Sequence, residues 1–265
     1  MDLQLTGKRA IVTGGSRGIG LAVAEGLAAE GAHVALVARG REALDAAVGR
    51  VSRHGTTVLA RPTDTTDDDD VRAMVAEVAG ALGGVDVLVN AAARPASAAP
   101  VPPLAELTDD ALRAEFETKV LGYLRCARAV APLMVAQGWG RIVNISGLNA
   151  RMSGSLAGSM RNVAVAAMTK NLADELGRAG VGVTVVHPGT TVTERTPRML
   201  LDRAAREGVS PGQVEGRLAA ATSLGRLVTA AEVADVVVFL ASPRSVAVTG
   251  DAIAAGGGTR GTIHY

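Results

Sequence analysis

The residues Thr13-Gly14-Gly15-Ser16-Arg17-Gly18-Ile19-Gly20 join a cluster of glycines to the start of a helical stretch, Leu21-Ala22-Val23-Ala24. Glycines let a backbone turn sharply and approach a pyrophosphate closely, while the free N–H groups of a helix N-terminus stabilise its charge. The apolar run Arg9 to Thr13 precedes this turn, so strand, turn and helix stand in the order that dinucleotide binding requires. A second apolar run ends Val37-Ala38-Arg39. An acidic residue at such a place would bind the ribose 2′-hydroxyl of NAD(H), whereas arginine binds the 2′-phosphate of NADP(H). With Arg17 in the turn, Arg39 makes NADP(H) the expected nucleotide in preference to NAD(H).

No metal chemistry is expected, because His33, His54, His187 and His264 lie far apart and Cys126 has no second cysteine. The acidic run Asp67 to Asp70 directly precedes Val71, Met74, Val75 and Val78, which recur at helical spacing. It reads as the first turn of a helix capped by Thr66, where carboxylates interact favourably with the helix dipole.

These residues need a scaffold, and the hydrophobic pattern describes one. Apolar runs at Arg9 to Thr13, His33 to Ala38, Thr56 to Ala60, Val85 to Val89, Arg141 to Ile145, Val181 to His187 and Asp251 to Ala255 read as strands. Segments of helical period near 18–30, 41–53, 67–82, 108–136, 158–179 and 229–241 alternate with them. Such alternation predicts an α/β fold, a doubly wound Rossmann-like three-layer sandwich around a seven-stranded parallel sheet. No linker interrupts it, so residues 1–265 read as one domain. The polar, arginine-rich stretch 190–223 is expected to be a substrate lid or a partner surface. The loop Ala96 to Pro103 is assigned no chemistry.

Composition narrows the partners. Hydrophobic residues make up 48% and charged residues 20% of the 265, with a formal net charge of +1, which argues against a disordered chain or a polyanion-binding protein. The five aromatics, Phe116, Tyr123, Trp139, Phe239 and Tyr265, are too scattered to stack a single strand of nucleic acid. Met1 to Lys8 lacks a signal-peptide pattern and no apolar run spans a bilayer, so neither export nor a membrane anchor is expected. A lone cysteine suits a reducing cytoplasm.

The glycine turn also carries a family resemblance. Thr-Gly-x-x-x-Gly-Ile-Gly resembles the signature of the short-chain dehydrogenases/reductases, and the likeness continues through most of the chain. It implies that Asp64, with Thr65, contacts adenine, and that Asn90-Ala91-Ala92 corresponds in part to the family's Asn-Asn-Ala-Gly stretch. Pro188-Gly189, followed by Thr191 and Thr193, is similar to the segment that holds the nicotinamide carboxamide and diphosphate. Leu224-Gly225-Arg226, Glu232-Val233-Ala234 and Gly257-Gly258 match the C-terminal pattern. The resemblance further implies a homodimer or homotetramer joined through the helices near 108–136 and 158–179.

The family reduces carbonyls with Asn, Ser, Tyr and Lys, the last two as Tyr-x-x-x-Lys on one helical face. The residues four before Lys8, Lys119 and Lys170 are Gln4, Glu115 and Ala166, so that pair is absent. Aligned on Met168 to Ala173, Gly158 takes the Tyr position and Asn162 the Lys position; aligned on the strand Ile142 to Ile145, they become Met160 and Ala164. Gly147 takes the Ser position beside Ser146, and Lys119 takes the Asn position. The amide and the ammonium thus exchange elements. A lysine in a desolvated cleft loses charge and can act as proton donor, base or Schiff-base nucleophile; otherwise Lys119 pairs with Glu115 or a cofactor phosphate. Lys119, Asn162 and Ser146 are therefore the catalytic candidates. Tyr123, Ser153, Ser155, Ser159, His187, Arg151 and Arg161 are weaker ones. Three functions fit: an NADP(H)-dependent oxidoreductase with unusual proton donors, a noncatalytic NADP(H) sensor or partner subunit, and a non-redox lyase, isomerase or cyclase using Lys119.

Overall fold

The computed structural model describes residues 1–93 and 101–260. Most of the loop Ala96 to Pro103 lies outside the described residues, as do His264 and Tyr265. In chain order the elements begin β1 (Arg9–Thr13), α1 (Gly18–Ala29), β2 (His33–Ala38), α2 (Arg41–Val51), β3 (Val58–Pro62), α3 (Asp68–Leu82) and β4 (Val87–Asn90). They continue with α4 (Asp109–Phe116), α5 (Gly122–Gln137), β5 (Gly140–Ile145), α6 (Leu156–Leu176) and β6 (Val181–Pro188). The last are β7 (Thr191–Val192), α7 (Thr196–Glu207), α8 (Pro211–Ala220), β8 (Val228–Thr229), α9 (Ala230–Leu240) and β9 (Ala252–Ala255).

Seven parallel strands form one sheet in the order β3-β2-β1-β4-β5-β6-β9. Strand alternation sends Ala10 and Val12 to one face and Ile11 to the other, and each face buries its own core. Leu21, Val23, Leu27, Leu44, Val51, Val233 and Val237 bring α1, α2 and α9 onto the first face. Val71, Val75, Cys126, Val130, Ala173 and Leu176 bring α3, α5 and α6 onto the second. Fully burying a Val or Leu side chain is worth about 1.5–3 kcal/mol, so these two layers hold the sheet between them. Below the sheet, Arg9 clamps β1 to the entry of β4: its N–H donates to Asp86 at 2.9 Å, and its guanidinium donates at 2.6 and 2.8 Å to the same carboxylate. Among the described residues no helix is long and apolar enough to cross a membrane.

Several expected boundaries shift, three of them with a visible cause. The third strand runs Val58–Pro62 rather than Thr56 to Ala60, in register with β2 through Val34↔Val58. The expected helix at 108–136 is broken: a π turn over Glu117–Leu121 separates α4 from α5. The cap of α3 is Asp67, not Thr66, because the Asp67 carboxylate accepts the N–H groups of Asp69 and Asp70 at 2.8 and 3.1 Å. Thr66 instead donates its N–H and hydroxyl to Asp64. Asp67→Ala is therefore expected to cost about 1 kcal/mol in urea unfolding, and Thr66→Ala less.

Candidate active site

In the strand order, β1 lies between β2 and β4, so the chain reverses direction across the sheet between β1 and β4; ligands of open α/β sheets bind at such a crevice, beyond the strand C-termini. Here the glycine turn leaves β1. Thr13 is fully buried, and its Oγ1 accepts the N–H groups of Ala91 and Ala92 at 3.1 and 3.2 Å, which fixes the exit of β4 beside the turn. Gly14 has φ +67°, and a side chain there would begin 2.6 Å from the Ala91 carbonyl oxygen. A side chain at Gly20 would begin 2.3 Å from the Gly14 carbonyl oxygen, so the first turn of α1 sits directly on the glycine turn. Ser16 and Ile19 lie within this cradle.

The cradle fits an anion. Arg17 supplies no side-chain cap to α1 and the first turn of the helix holds no acidic residue, so its N–H groups point outward without a local acceptor. One of them already holds a carboxylate: Gly18 N–H donates to Glu194 Oε2 at 3.2 Å. Thr193 reaches the same spot, with its Cγ2 3.7 Å from where a Gly18 side chain would begin. The segment from Pro188 to Thr193 thus meets the glycine turn. Gly189 passes close to the exit of β9, and Thr191 Oγ1 donates to the Gly189 carbonyl at 3.1 Å.

Arg17 and Arg39 are both exposed at this edge. Asp64 faces Arg39. The Thr66 N–H holds the Asp64 carboxyl below its usual range, assisted against burial by the Thr66 hydroxyl and the charges of Arg39 and Arg125. Two residues expected at the nucleotide also bond to the scaffold. The Thr65 carbonyl accepts from Arg125 at 3.4 Å. Asn90 is fully buried, and its Nδ2 donates to Asn144 Oδ1 at 3.0 Å; Asn144 in turn donates to Thr169 Oγ1 at 3.0 Å, and Thr169 to the Val165 carbonyl at 2.8 Å.

The second group gathers at the C-terminal end of β5. The π turn carries Lys119 inward, where it is 5% exposed and its Nζ donates to the Ser146 carbonyl at 2.8 Å. Burial alone lowers its pKa from 10.5 to about 7. It does not pair with Glu115, whose carboxylate binds Arg161. Ser146 Oγ donates to the Asn162 backbone carbonyl at 3.2 Å. Asn162 is 3% exposed, its Oδ1 finds no partner among the described residues, and its Nδ2 lies 2.9 Å from where a side chain at Gly147 would begin. The three catalytic candidates, Lys119, Ser146 and Asn162, are thus brought together. Gly158 lies one turn earlier on α6, and a side chain there would begin 2.7 Å from Ser155 Oγ and 3.1 Å from Asn149 Nδ2.

Most of the weaker candidates have other partners. Tyr123 is buried, donates to the Ile145 carbonyl at 3.0 Å and is held protonated by burial, so it belongs to the core. Ser155 caps α6 through the Gly158 N–H, and Ser159 donates to the Met152 carbonyl. Arg151 donates to the Ala252 carbonyl at 2.8 Å. His187 is buried in β6. Sequence reasoning missed Asn149 and Glu194. The one available signal for Glu194 was its place next to Thr193; nothing in the residue order brings Asn149 over Gly158.

This arrangement has close counterparts. The family model described as short chain dehydrogenase matches residues 8–203. The short-chain reductase protein NovJ of Streptomyces niveus is 35% identical over 250 residues, covering 94% of this chain and 92% of that protein. The structure of L-sorbose reductase from Gluconobacter frateurii, complexed with NADPH and L-sorbose, gives a TM-score of 0.91 at 30% identity, covering 99% of this chain and 100% of the other. NAD+-bound xylitol dehydrogenase gives 0.88 at 26% identity, covering 96% of this chain and 100% of the other. A glycine turn at the switch point, matched over most of its length by proteins of the same architecture, makes this chain a member of the short-chain dehydrogenase family.

Proposed function

We propose that the protein is an NADP(H)-linked oxidoreductase acting on a carbonyl or alcohol, with Lys119 as the proton-delivering group in place of a tyrosine. One observation carries this reading: an anion-accepting glycine turn and a buried lysine titrating near neutrality share the same edge of the sheet. The turn, Thr193 and the N-terminus of α1 would hold the diphosphate, and Arg17 and Arg39 the 2′-phosphate. The NADPH bound to L-sorbose reductase supports that choice, and the NAD+ of xylitol dehydrogenase marks the competing one.

When bound, the nicotinamide supplies or accepts a hydride. Reduction builds negative charge on the carbonyl oxygen, and a positioned acid with a pKa near the working pH is worth about 10²- to 10⁴-fold in rate. Lys119 meets the pKa condition, and the Ser146 carbonyl holds its Nζ in place. Asn162 Oδ1, one turn beyond Gly158 and without a partner among the described residues, would accept the hydroxyl hydrogen of an alcohol substrate. All four positions that carry the family's catalytic groups then differ in this chain. The bond from Lys119 to a backbone carbonyl also favours a second reading, a nucleotide-binding sensor or partner subunit without turnover.

Two accessory features complete the proposal. Helices α7 and α8 would form the lid over the cleft, since Leu200, Ala204 and Val214 give them a core of their own. Exposed Val135 on α5, with Met160 and Val163 on α6, suits a homodimer or homotetramer interface.

Calorimetric titration with NADPH and NADH tests the reading. NADPH is expected to bind at least tenfold more tightly, and Arg39→Ala to remove most of that preference, because a charge-assisted bond to phosphate is worth about 1.5–3 kcal/mol. Equal affinities would move the assignment to NAD(H). Absence of binding in a folded protein would end it. Loss of NADPH absorbance with a panel of carbonyl compounds then separates the enzyme from the sensor.

A further inference from the structure

Glu194 places a carboxylate where the proposed reaction has no use for one. It is exposed, follows Thr193 directly, and accepts the Gly18 N–H at 3.2 Å across 176 residues of chain. Arg195 follows it and Arg17 precedes Gly18, yet its one hydrogen bond among the described residues goes to the backbone of the glycine turn rather than to either guanidinium. The helix end offers that N–H without a competitor, since neither a side-chain cap nor an acidic residue of α1 takes it. Thr193 presses on the same glycine from the adjoining position.

The segment that carries Glu194 is tied to itself. Thr193 N–H donates to Thr196 Oγ1 at 2.9 Å, Thr196 Oγ1 donates to the Thr191 carbonyl at 3.3 Å, and Arg195 N–H donates to Thr193 Oγ1 at 3.3 Å. It leads without a break into α7, which packs with α8 around Leu200, Ala204 and Val214. A displacement of Glu194 would therefore act on the start of α7.

We infer that Glu194 is a built-in anion that occupies the diphosphate position on the glycine turn and must be displaced by an incoming nucleotide, so that nucleotide binding resets the α7–α8 hairpin. The inference rests on the reading of the turn as a dinucleotide site. Two anions repel at one helix N-terminus and compete for the same N–H, so the native carboxylate weakens nucleotide binding and couples it to the hairpin.

Calorimetric titration of the wild-type protein, Glu194→Gln and Glu194→Ala with NADPH at low ionic strength tests this. Glu194→Gln removes the charge, and its Kd for NADPH is expected to fall three- to tenfold; Glu194→Ala, which removes the hydrogen bond as well, should bind at least as tightly as Glu194→Gln. Hydrogen exchange over residues 196–220 should change on NADPH addition in the wild type and much less in either variant. Wild-type binding with no gain, or with a loss, in both variants overturns the inference and leaves the nucleotide site standing. Failure of all three folded proteins to bind NADPH or NADH overturns the site and the inference together.

Discussion

Lys119→Met is expected to stabilise the protein at pH 7 while slowing the proposed reaction. The lysine titrates at 10.5 when exposed and at about 7 in the fold, because burial penalises the ammonium form. Between those values the unfolded chain keeps a proton that the folded chain has released. Stability of the wild type therefore rises with pH across that window, by about 1 kcal/mol per pH unit, and is flat below pH 7, where both states are protonated. Methionine has similar length and no charge to desolvate, but it leaves the Ser146 carbonyl without a donor, a cost of about 1–3 kcal/mol. The net gain at pH 7 is on the order of 2 kcal/mol, read as a higher urea midpoint, and the variant should lack the wild-type rise between pH 7 and 9. A destabilised variant, together with a wild type insensitive to pH, would show that Lys119 remains charged in the fold. For activity, kcat should drop about 10²- to 10⁴-fold with the Kd for NADPH unchanged. If Lys119 is the acid of the proposed reaction, the reductive rate of the wild type is expected to decline as the pH rises through about 7, where its acid form is lost.

Gly14→Ala should be the most damaging small substitution in the nucleotide cradle. Gly14 holds φ +67°, and a methyl group there would begin 2.6 Å from the Ala91 carbonyl oxygen and 2.8 Å from the Ala92 nitrogen, backbone atoms of residues held by Thr13 Oγ1. Left-handed backbone costs a non-glycine residue about 1–2 kcal/mol, and overpacking adds roughly 1–3 kcal/mol. A loss of about 2–5 kcal/mol is expected by urea unfolding, with NADPH affinity reduced at least tenfold. Gly55→Ala is the control: its φ is +77° and nothing lies within 4 Å, so it bears the backbone term alone. Equal costs for the two substitutions, with nucleotide binding retained, would remove the steric argument for the cradle.

The parts of the fold that were legible from residue order are those set by local periodicity. Ala10, Ile11 and Val12 alternate faces, and Val71, Met74, Val75 and Val78 recur on one side of α3, so each run announces its own element. The site is legible only where function and local conformation coincide, as in the glycine turn. What escaped depends on contacts between distant segments. No local pattern distinguishes the π turn at Glu117–Leu121 from continued helix, yet it is what carries Lys119 to Ser146. Asp67 and Thr66 are both good caps, and the choice between them is made by Asp64, which takes up the Thr66 N–H and hydroxyl. Asn90 stands in a stretch that resembles a nucleotide-binding one, and residue order does not show that its Nδ2 donates to Asn144 on the neighbouring strand.

The clamp between Arg9 and Asp86 joins residues 77 positions apart in the chain. Strand β1 lies near the centre of the sheet and precedes its other strands in the chain, but its second neighbour, β4, follows only after β2 and β3 have been made. At roughly 5–20 residues per second, β4 leaves the ribosome about 4–15 s after β1. Throughout that interval one edge of Ala10-Ile11-Val12 lacks its partner, an apolar template open to any other strand. Refolding from denaturant meets the same delay as loop-closure entropy, since the pairing that completes the centre of the sheet is also among its least local. The yield of native protein on refolding is therefore expected to fall as protein concentration rises.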